Sequence, residues 1–368
     1  MAILSLLVMF GNILYELDRR QWDLRSFHAA AQLVSQGGNP YDFDTLQAQE
    51  SDPSWPYVYP LGVAMILRPL AATDYYPLSP LVWAALKAGA LLMLLALWRR
   101  TLAPTLDGGS FLLLSLVGVQ GAVLLDVRSG NVEIFQNLFL WSGLILALRR
   151  RYVPGALLVG LAGGAKLVLV AFLALFAMSG AWVATLAGLG VFIAVAAGPF
   201  LFRPDLAPAF LESLLTAPRA GAMDLSLLST LRFVENSRGL DLHADVIWMV
   251  SIALALTAGA VAIRRHAGHP LLVLEAMTLV YVACLPRMIA YSGIVLVAPL
   301  LLRGERRGYS LPVLLLLTLP GLSQLPEIPA FTFPVPWSLV GLVLLFLLAR
   351  ESPGGARTRD GEPVEGAG

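Results

Sequence analysis

Long apolar runs that end in clusters of arginine constrain the fold of this chain more than any other feature. Hydrophobic residues occupy 58% of the 368 positions and charged residues only 13%, against ~25% charged in an ordinary soluble domain. We therefore expect an all-α polytopic membrane protein, a bundle of about 12 transmembrane or partial helices. The predicted helices cover residues 2–17, 79–98, 110–126, 132–148, 153–165, 166–178, 181–200, 246–263, 270–285, 288–302, 309–322 and 336–349.

The arginine clusters indicate how these helices are oriented. They lie at residues 99–100, 149–151, 264–265, 303–307 and 350–359 and together hold 13 arginines, whereas only Arg128 and Arg287 fall in short loops on the other side. Basic residues favour the cytoplasmic side, so we expect a multi-pass protein of the cell membrane with both termini cytoplasmic. Residues 1–349 would form one transmembrane domain with extracytoplasmic loops at 18–78 and 201–245, and the Gly/Pro-rich residues 350–368 a disordered cytoplasmic tail.

Residues 153–178 must cross twice in this topology, although they are too few for two crossings. About 26 helical residues span ~39 Å, whereas one crossing of the hydrocarbon core takes ~30 Å. The segment is therefore predicted to form a broken, partial hairpin that bends at Gly163 and Gly164. Irregular backbone at membrane depth is tolerated only inside protein or beside a wet cavity, so Lys166 is expected to face a polar pocket.

Residues 22–43, WDLRSFHAAAQLVSQGGNPYDF, form a polar stretch directly after the first apolar run. One helical face carries Leu24, Phe27, Ala31 and Val34, which predicts an amphipathic helix lying on the membrane or against the helical bundle. Gly37 and Gly38 supply its C-terminal stop. Asp23 falls at the N-terminal end, and periodicity alone favours a role for it as an N-cap.

Charge and cysteine content exclude several classes of function. The formal net charge is +1, which gives no reason to expect a nucleic-acid partner. Cys284 is the only cysteine and the four histidines form no HExxH pair, so disulfides and these metal sites are not expected. Lys87 lies inside the predicted span 79–98, where it could snorkel or pair.

The residues Asp23, Phe27, Ala30, Gly37 or Gly38, Pro40 and Tyr41 follow the pattern D-x3-[FY]-x2-A…G-x-P-Y. This pattern resembles the first extracytoplasmic loop of family 87 glycosyltransferases, which are polyprenyl-phosphate-mannose-dependent mannosyltransferases with the GT-C membrane fold. Segments 57–71, 128–151, 153–176, 224–233 and 285–302 resemble later parts of the family in the same order. Asn131, Glu133 and Asp224 depart from the family's usual Gln, Asn and Asn. An arabinosyl, glucosyl or other sugar is therefore compatible with the sequence as well as mannose.

The resemblance implies a role for each candidate site residue. Asp23 would be the general base of an inverting transfer, and Lys166, Arg287 and Arg128 would bind the lipid phosphate. His28, Tyr59 and Asn131 would contact the substrate. The alternatives stay open: the cations could snorkel, His28 could be structural, and Tyr59 could belong to an interfacial aromatic belt. Asp42 and Asp44 are rival carboxylates, better explained as turn-forming residues.

The resemblance thus implies an integral-membrane hexosyltransferase that moves a sugar, by the family pattern mannose, from a polyprenyl-phosphate donor to an acceptor hydroxyl. The acceptor would be a glycolipid or glycan at the extracytoplasmic face. No cofactor and no divalent metal are expected, and the partners are the lipid bilayer, the donor and the acceptor. A transporter or lipid flippase would explain the broken hairpin and Lys166 equally well, and a catalytically inactive GT-C scaffold is a further alternative. Two long loops on one face favour the enzyme.

Overall fold

The computed structural model describes residues 21–49, 55–72, 78–216, 224, 226–308, 317 and 337–351. These residues form 17 α-helices and no β-strand, with one isolated antiparallel bridge between Asp224 and Ile289. The predicted helix 2–17, nearly all of the predicted helix 309–322 and the predicted tail from residue 352 lie outside the described residues.

The α-helices are numbered in chain order. They are α1 Trp22–Ser35, α2 Phe43–Ala48, α3 Leu61–Ile66, α4 Arg68–Ala71, α5 Leu78–Thr101, α6 Gly108–Leu112, α7 Gly118–Ser129, α8 Glu133–Leu148, α9 Tyr152–Ala165, α10 Ala174–Met178, α11 Trp182–Ala196, α12 Leu206–Thr216, α13 Leu227–Arg238, α14 Ala244–Arg265, α15 Pro270–Cys284, α16 Ile294–Arg307 and α17 Trp337–Arg350. A π-helical turn covers Leu113–Val117, and 3-10 turns cover Leu167–Leu173, Gly198–Leu201 and Ala290–Gly293.

Two of these helices, α5 and α14, are long and apolar enough to cross a membrane. The pair 108–117 and 121–129, bent by 46°, would add a third if it forms one broken span. Seven shorter stretches are also apolar, α8, α9, residues 167–178, α11, residues 206–215, α15 and α17. The all-helical, membrane-type fold is therefore confirmed, while the number of about 12 spans stays a prediction.

The chain divides into two compact units. The first comprises residues 1–96 and 124–218 and the second residues 97–123 and 219–368, so the division falls within α5 and α7. The expectation of one transmembrane domain over residues 1–349 stays a prediction.

In the first unit, α1 is buried on most of its surface by a core that includes Leu24, Phe27, Tyr57, Ala64 and Trp83. Of the two expected locations for this helix, the structure supports packing against other helices.

The predicted hairpin in residues 153–178 is present, but its break lies at Lys166 and not at Gly163–Gly164. Helix α9 continues through both glycines to Ala165, and Lys166 takes an extended conformation with φ −136° and ψ 99°. Residues 167–178 then return along α9, which brings the rings of Tyr152 and Phe176 to 6.5 Å. The outward and returning arms are each ~21 Å long, short of a full crossing.

Close packing explains why glycine does not mark the bend. A Cβ atom at Gly164 would lie 2.6 Å from the Val195 Cβ on α11, and one at Gly163 would lie 3.1 Å from the Val170 backbone nitrogen. Gly163 therefore lets the backbone of Val170 approach α9, and Gly164 makes room for the Val195 side chain, as small residues do in membrane helices. The prediction of a bend at Gly163 and Gly164 was wrong, because the pattern Gly-Gly occurs at close helix contacts as well as at bends.

In the second unit, ion pairs join α15, α16 and the end of α17. The buried Glu275 carboxylate contacts the Arg306 guanidinium, and Glu351 lies 3.2 Å from Arg303 and 3.0 Å from Arg307. These arginines form one of the clusters predicted to be cytoplasmic, an orientation that stays a prediction.

Candidate active site

Asp23 lies in the first turn of α1 but does not cap the helix. Gln21 occupies the N-cap position, and Asp23 is the second helical residue, 9% exposed. Its charge still lies at the positive end of the helix dipole. The side chain is engaged elsewhere, because the Asn131 Nδ2 donates to Asp23 Oδ2 at 2.9 Å. The N-cap interpretation of Asp23 was therefore wrong.

Asn131 connects Asp23 to Tyr59. Its Nδ2 also donates to the Tyr59 hydroxyl oxygen at 2.9 Å, while its Oδ1 accepts from the Val132 backbone N–H at 2.7 Å. The Asn131 side chain is fully buried, so both amide protons and the carbonyl oxygen are used within protein. An asparagine held this way fixes the direction of the Asp23 carboxylate. The structure thus places Asp23, Asn131 and Tyr59 together, as the resemblance implies for one site.

The loop that carries Asn131, residues 130–132, is held by an ion pair that sequence reasoning missed. Asp126 Oδ1 accepts from the Glu133 backbone N–H at 3.1 Å, and Asp126 Oδ2 lies 2.7 Å from Lys87 Nζ. Lys87 is 3% exposed and Asp126 0%. Because the pair spans α5, α7 and the start of α8, it fixes both ends of the loop. Lys87 is thus a paired residue and not a snorkelling one.

Two further contacts press the loop against α1 and α5. Trp83 Nε1 donates to the Gly130 carbonyl at 2.8 Å. Gly130 has φ +75°, and a Cβ there would lie 2.7 Å from the Leu24 Cβ. Only glycine fits both the left-handed conformation and the close approach to α1. This approach places Asn131 next to Asp23.

Lys166 is paired with Glu133. The Lys166 ammonium contacts Glu133 Oε1, and the lysine side chain is 22% exposed while that of Glu133 is 4% exposed. Lys166 lies at the break of the hairpin, and Glu133 is the first residue of α8, two residues beyond Asn131. Lys166 thus has an acidic partner, while the polar pocket expected around it stays a prediction. Its binding of phosphate stays a prediction.

Tyr59 belongs to an aromatic cluster in the first unit. Its ring centre lies 4.9 Å from that of Phe27 at an interplanar angle of 64°, and the Tyr41 hydroxyl donates to the Tyr59 carbonyl at 3.2 Å. Burial raises the pKa of Tyr59 well above its usual value, and the nearby Asp23 charge raises it further. The hydroxyl thus keeps its proton at neutral pH and can donate a hydrogen bond as well as accept one.

The rival carboxylates have structural roles or lie at the surface. Asp42 is the N-cap of α2 and accepts from the Asp44 and Thr45 backbone N–H groups and from Thr45 Oγ1 at 2.7 Å. Hydrogen bonds from Thr45 lower the pKa of Asp42. The interpretation as a turn-forming residue is therefore supported for Asp42, whereas Asp44 is the second residue of α2 and is exposed.

The remaining candidates are His28, Arg128 and Arg287. His28 is buried in α1, five residues after Asp23, which turns it ~140° away around the helix. Arg128 is half-buried in the last turn of α7, where its charge complements the helix dipole. Their contacts with substrate stay predictions.

Arg287 belongs to the second unit, in the irregular segment between α15 and the 3-10 turn at residue 290. Asp224 Oδ1 fixes this segment by accepting from the Met288 backbone N–H at 2.9 Å and from that of Ser226 at 3.0 Å. Ser226 Oγ adds a hydrogen bond to the Pro286 carbonyl at 2.9 Å. Asp224, which departs from the family pattern, therefore stabilises the irregular segment that carries Arg287. Binding of phosphate by Arg287 stays a prediction.

Within the described ranges, no three His, Cys, Asp or Glu side chains are grouped so that they could hold a metal ion. Metal-independent transfer stays a prediction.

The sequence model of glycosyltransferase family 87 matches residues 57–299, more than half of the chain. The matched range includes Tyr59, Lys87, Asp126, Asn131 and Lys166, whereas Asp23 precedes it. No curated protein and no solved structure matches the chain significantly. Members of family 87 are membrane glycosyltransferases. From the extent of the match and the membrane-type helical fold, the chain belongs to glycosyltransferase family 87.

Proposed function

We propose that this glycosyltransferase transfers a sugar, with mannose as the first candidate, from a polyprenyl-phosphate donor to an acceptor hydroxyl by inversion. Asp23 is the general base. The reaction takes place at the extracytoplasmic face of the cell membrane, and the acceptor is a glycolipid or glycan. Family membership favours sugar transfer over transport or lipid flipping.

The observation that carries the proposal is the buried hydrogen bond from Asn131 to Asp23. A general base must point at the proton that it removes. Asn131 directs one carboxylate oxygen and is itself fixed by the loop between α7 and α8. A carboxylate that only capped a helix would need no such support from a loop more than a hundred residues away.

In the proposed step, Asp23 takes the proton of the acceptor hydroxyl while the hydroxyl oxygen attacks the anomeric carbon. The bond between that carbon and the phosphate oxygen breaks, and its electron pair stays on the lipid phosphate. Cations stabilise the charge that develops there, a role we assign to Lys166 and Arg287, with Arg128 as a third candidate. We also assign Tyr59, whose hydroxyl exchanges hydrogen bonds with the Asn131 amide, a hydrogen bond to a substrate hydroxyl.

The test compares the full chain with Asp23→Asn in lipid nanodiscs. Transfer is measured from radiolabelled farnesyl-phospho-mannose to alkyl glycosides and to total membrane glycolipid. Since a positioned base contributes ~10²- to 10⁴-fold to the rate, Asp23→Asn should reduce transfer by that factor. Asp42→Asn is the matched control in the same loop and should transfer normally.

Two results would contradict the proposal in different ways. Transfer by Asp23→Asn within tenfold of the unsubstituted chain would remove Asp23 from the role of base. No transfer by the unsubstituted chain from mannosyl, arabinosyl and glucosyl donors alike would contradict the proposed reaction, and would favour the inactive-scaffold alternative.

A further inference from the structure

We infer that Glu133 competes with the lipid phosphate for Lys166 and thereby promotes release of the lipid-phosphate product. The inference rests on the proposed function. In this inference Glu133 is the counterion of Lys166 before the lipid phosphate binds. The ion pair of Lys166 with Glu133 forms again as the lipid phosphate leaves after transfer.

The exposure of the two partners supports exchange over a fixed structural pair. Lys166 keeps 22% of its side chain exposed, whereas Glu133 keeps 4%. Part of the Lys166 side chain is therefore accessible from the protein surface, whereas the Glu133 side chain is buried. A ligand phosphate can contact Lys166 from the open side without entering the core, but it then lies close to the Glu133 charge.

The backbone of Glu133 is fixed close in the chain to Asn131, the residue that orients the proposed base. Its N–H donates to Asp126 Oδ1 at 3.1 Å, so the first turn of α8 is fixed by the same buried carboxylate that Lys87 neutralises. Asn131, two residues earlier, donates to Asp23. The ion pair of Glu133 with Lys166 is thus two residues along the chain from the group that orients the proposed base.

The charge of the phosphate changes during the proposed reaction. The donor is a phosphodiester with one negative charge, and the product is a monoester whose second ionisation has a pKa of ~6. The product therefore carries nearly two negative charges at neutral pH. A lysine alone would hold the product more tightly than the donor, which would slow turnover.

A fixed carboxylate reduces the preference of Lys166 for the product over the donor. It repels the doubly charged product twice as strongly as the singly charged donor. At a separation of ~6 Å in a water-like dielectric, this repulsion corresponds to ~3-fold in affinity for each ligand charge. Glu133 should thus weaken the binding of product ~10-fold and that of donor ~3-fold.

The test measures the affinity of the full chain in nanodiscs for two probes that differ by one charge, farnesyl phosphate and farnesyl methyl phosphate. Glu133→Gln should bind farnesyl phosphate ~10-fold and farnesyl methyl phosphate ~3-fold more tightly. Adding Lys166→Gln should remove both gains. Asp205→Asn, which removes an exposed carboxylate of the same unit, should change neither affinity. Because the ratio between probes is taken within one variant, a partly unfolded sample does not imitate it.

Kinetics give a second readout. With farnesyl-phospho-mannose as donor, Glu133→Gln should lower KM and also lower kcat, and inhibition by farnesyl phosphate should become ~10-fold stronger. Equal gains for both probes, gains that persist without Lys166, or loss of transfer without tighter binding would each overturn the inference. The binding measurement needs no turnover, so a chain that shows the expected affinities but transfers no sugar would contradict the proposed function alone.

Discussion

The ion pair of Lys87 with Asp126 offers a quantitative test of how the candidate site is held. Asp126 is 0% exposed and its Oδ2 lies 2.7 Å from Lys87 Nζ. Lys87→Met keeps most of the length of the side chain but leaves the Asp126 charge buried without this partner. Removing one member of a buried pair costs ~3–5 kcal/mol, so the free energy of unfolding should fall by about that amount.

The double variant Lys87→Met/Asp126→Asn separates the buried charge from the loss of packing. An asparagine at position 126 keeps an oxygen that can accept from the Glu133 N–H, at present 3.1 Å from Asp126 Oδ1, and buries no charge. The double variant should therefore regain ~2–3 kcal/mol relative to Lys87→Met. Transfer activity should follow the same order, because the loop that positions Asn131 depends on Asp126.

The assay is reversible unfolding of the full chain by SDS in mixed micelles, followed by tryptophan fluorescence. Arg203→Met, which breaks an exposed ion pair with Asp205, is the control and should show no measurable change. A loss below ~1 kcal/mol for Lys87→Met, or additive losses in the double variant, would show that the pair does not support the loop.

Three other predictions concern the loop between α7 and α8 and, in the second unit, the hydrogen bonds of Asp224. Asn131→Ala removes a hydrogen bond to a charged group worth ~1.5–3 kcal/mol, so kcat/KM should fall ~10- to 150-fold with little change in the amount of folded protein. Gly130→Ala adds a Cβ at φ +75° and 2.7 Å from that of Leu24, which should cost ~2–4 kcal/mol in unfolding titrations. Asp224→Asn keeps an oxygen for the Met288 and Ser226 N–H groups and should unfold normally, whereas Asp224→Ala should lose ~1–3 kcal/mol or more in the same titrations.

Much of the helical architecture could be predicted from the sequence because it depends on local patterns. The predicted segments 132–148, 153–165 and 270–285 correspond within one residue at each end to Glu133–Leu148, Tyr152–Ala165 and Pro270–Cys284. Apolar run length and flanking charge determine such boundaries. The break in the hairpin was placed wrongly because the role of Gly164 depends on Val195, about thirty residues away.

The pairings within the candidate site could not be predicted in this way. Lys87 and Asp126 are two isolated charges in separate apolar segments, and only the tertiary structure brings them together. The signal was present in part, since an ionisable residue inside an apolar run calls for a partner. For Asp23, helical periodicity could not decide whether the N-cap was this residue or Gln21, and so could not distinguish a cap from a residue held by Asn131.

The extent of the family match gives the hydrogen bond between Asn131 and Asp23 a particular meaning. The match begins at residue 57, so it supports Asn131 and Lys166 as parts of the family segment but gives no direct support to Asp23. The structure supplies the missing link, because a buried amide within the matched range donates to the carboxylate that precedes it. If Asp23 were incidental to the activity of this chain, substitution of Asn131 would affect transfer only through stability. A loss of kcat/KM in Asn131→Ala, measured at equal amounts of folded protein, would therefore connect α1 to the chemistry of the family.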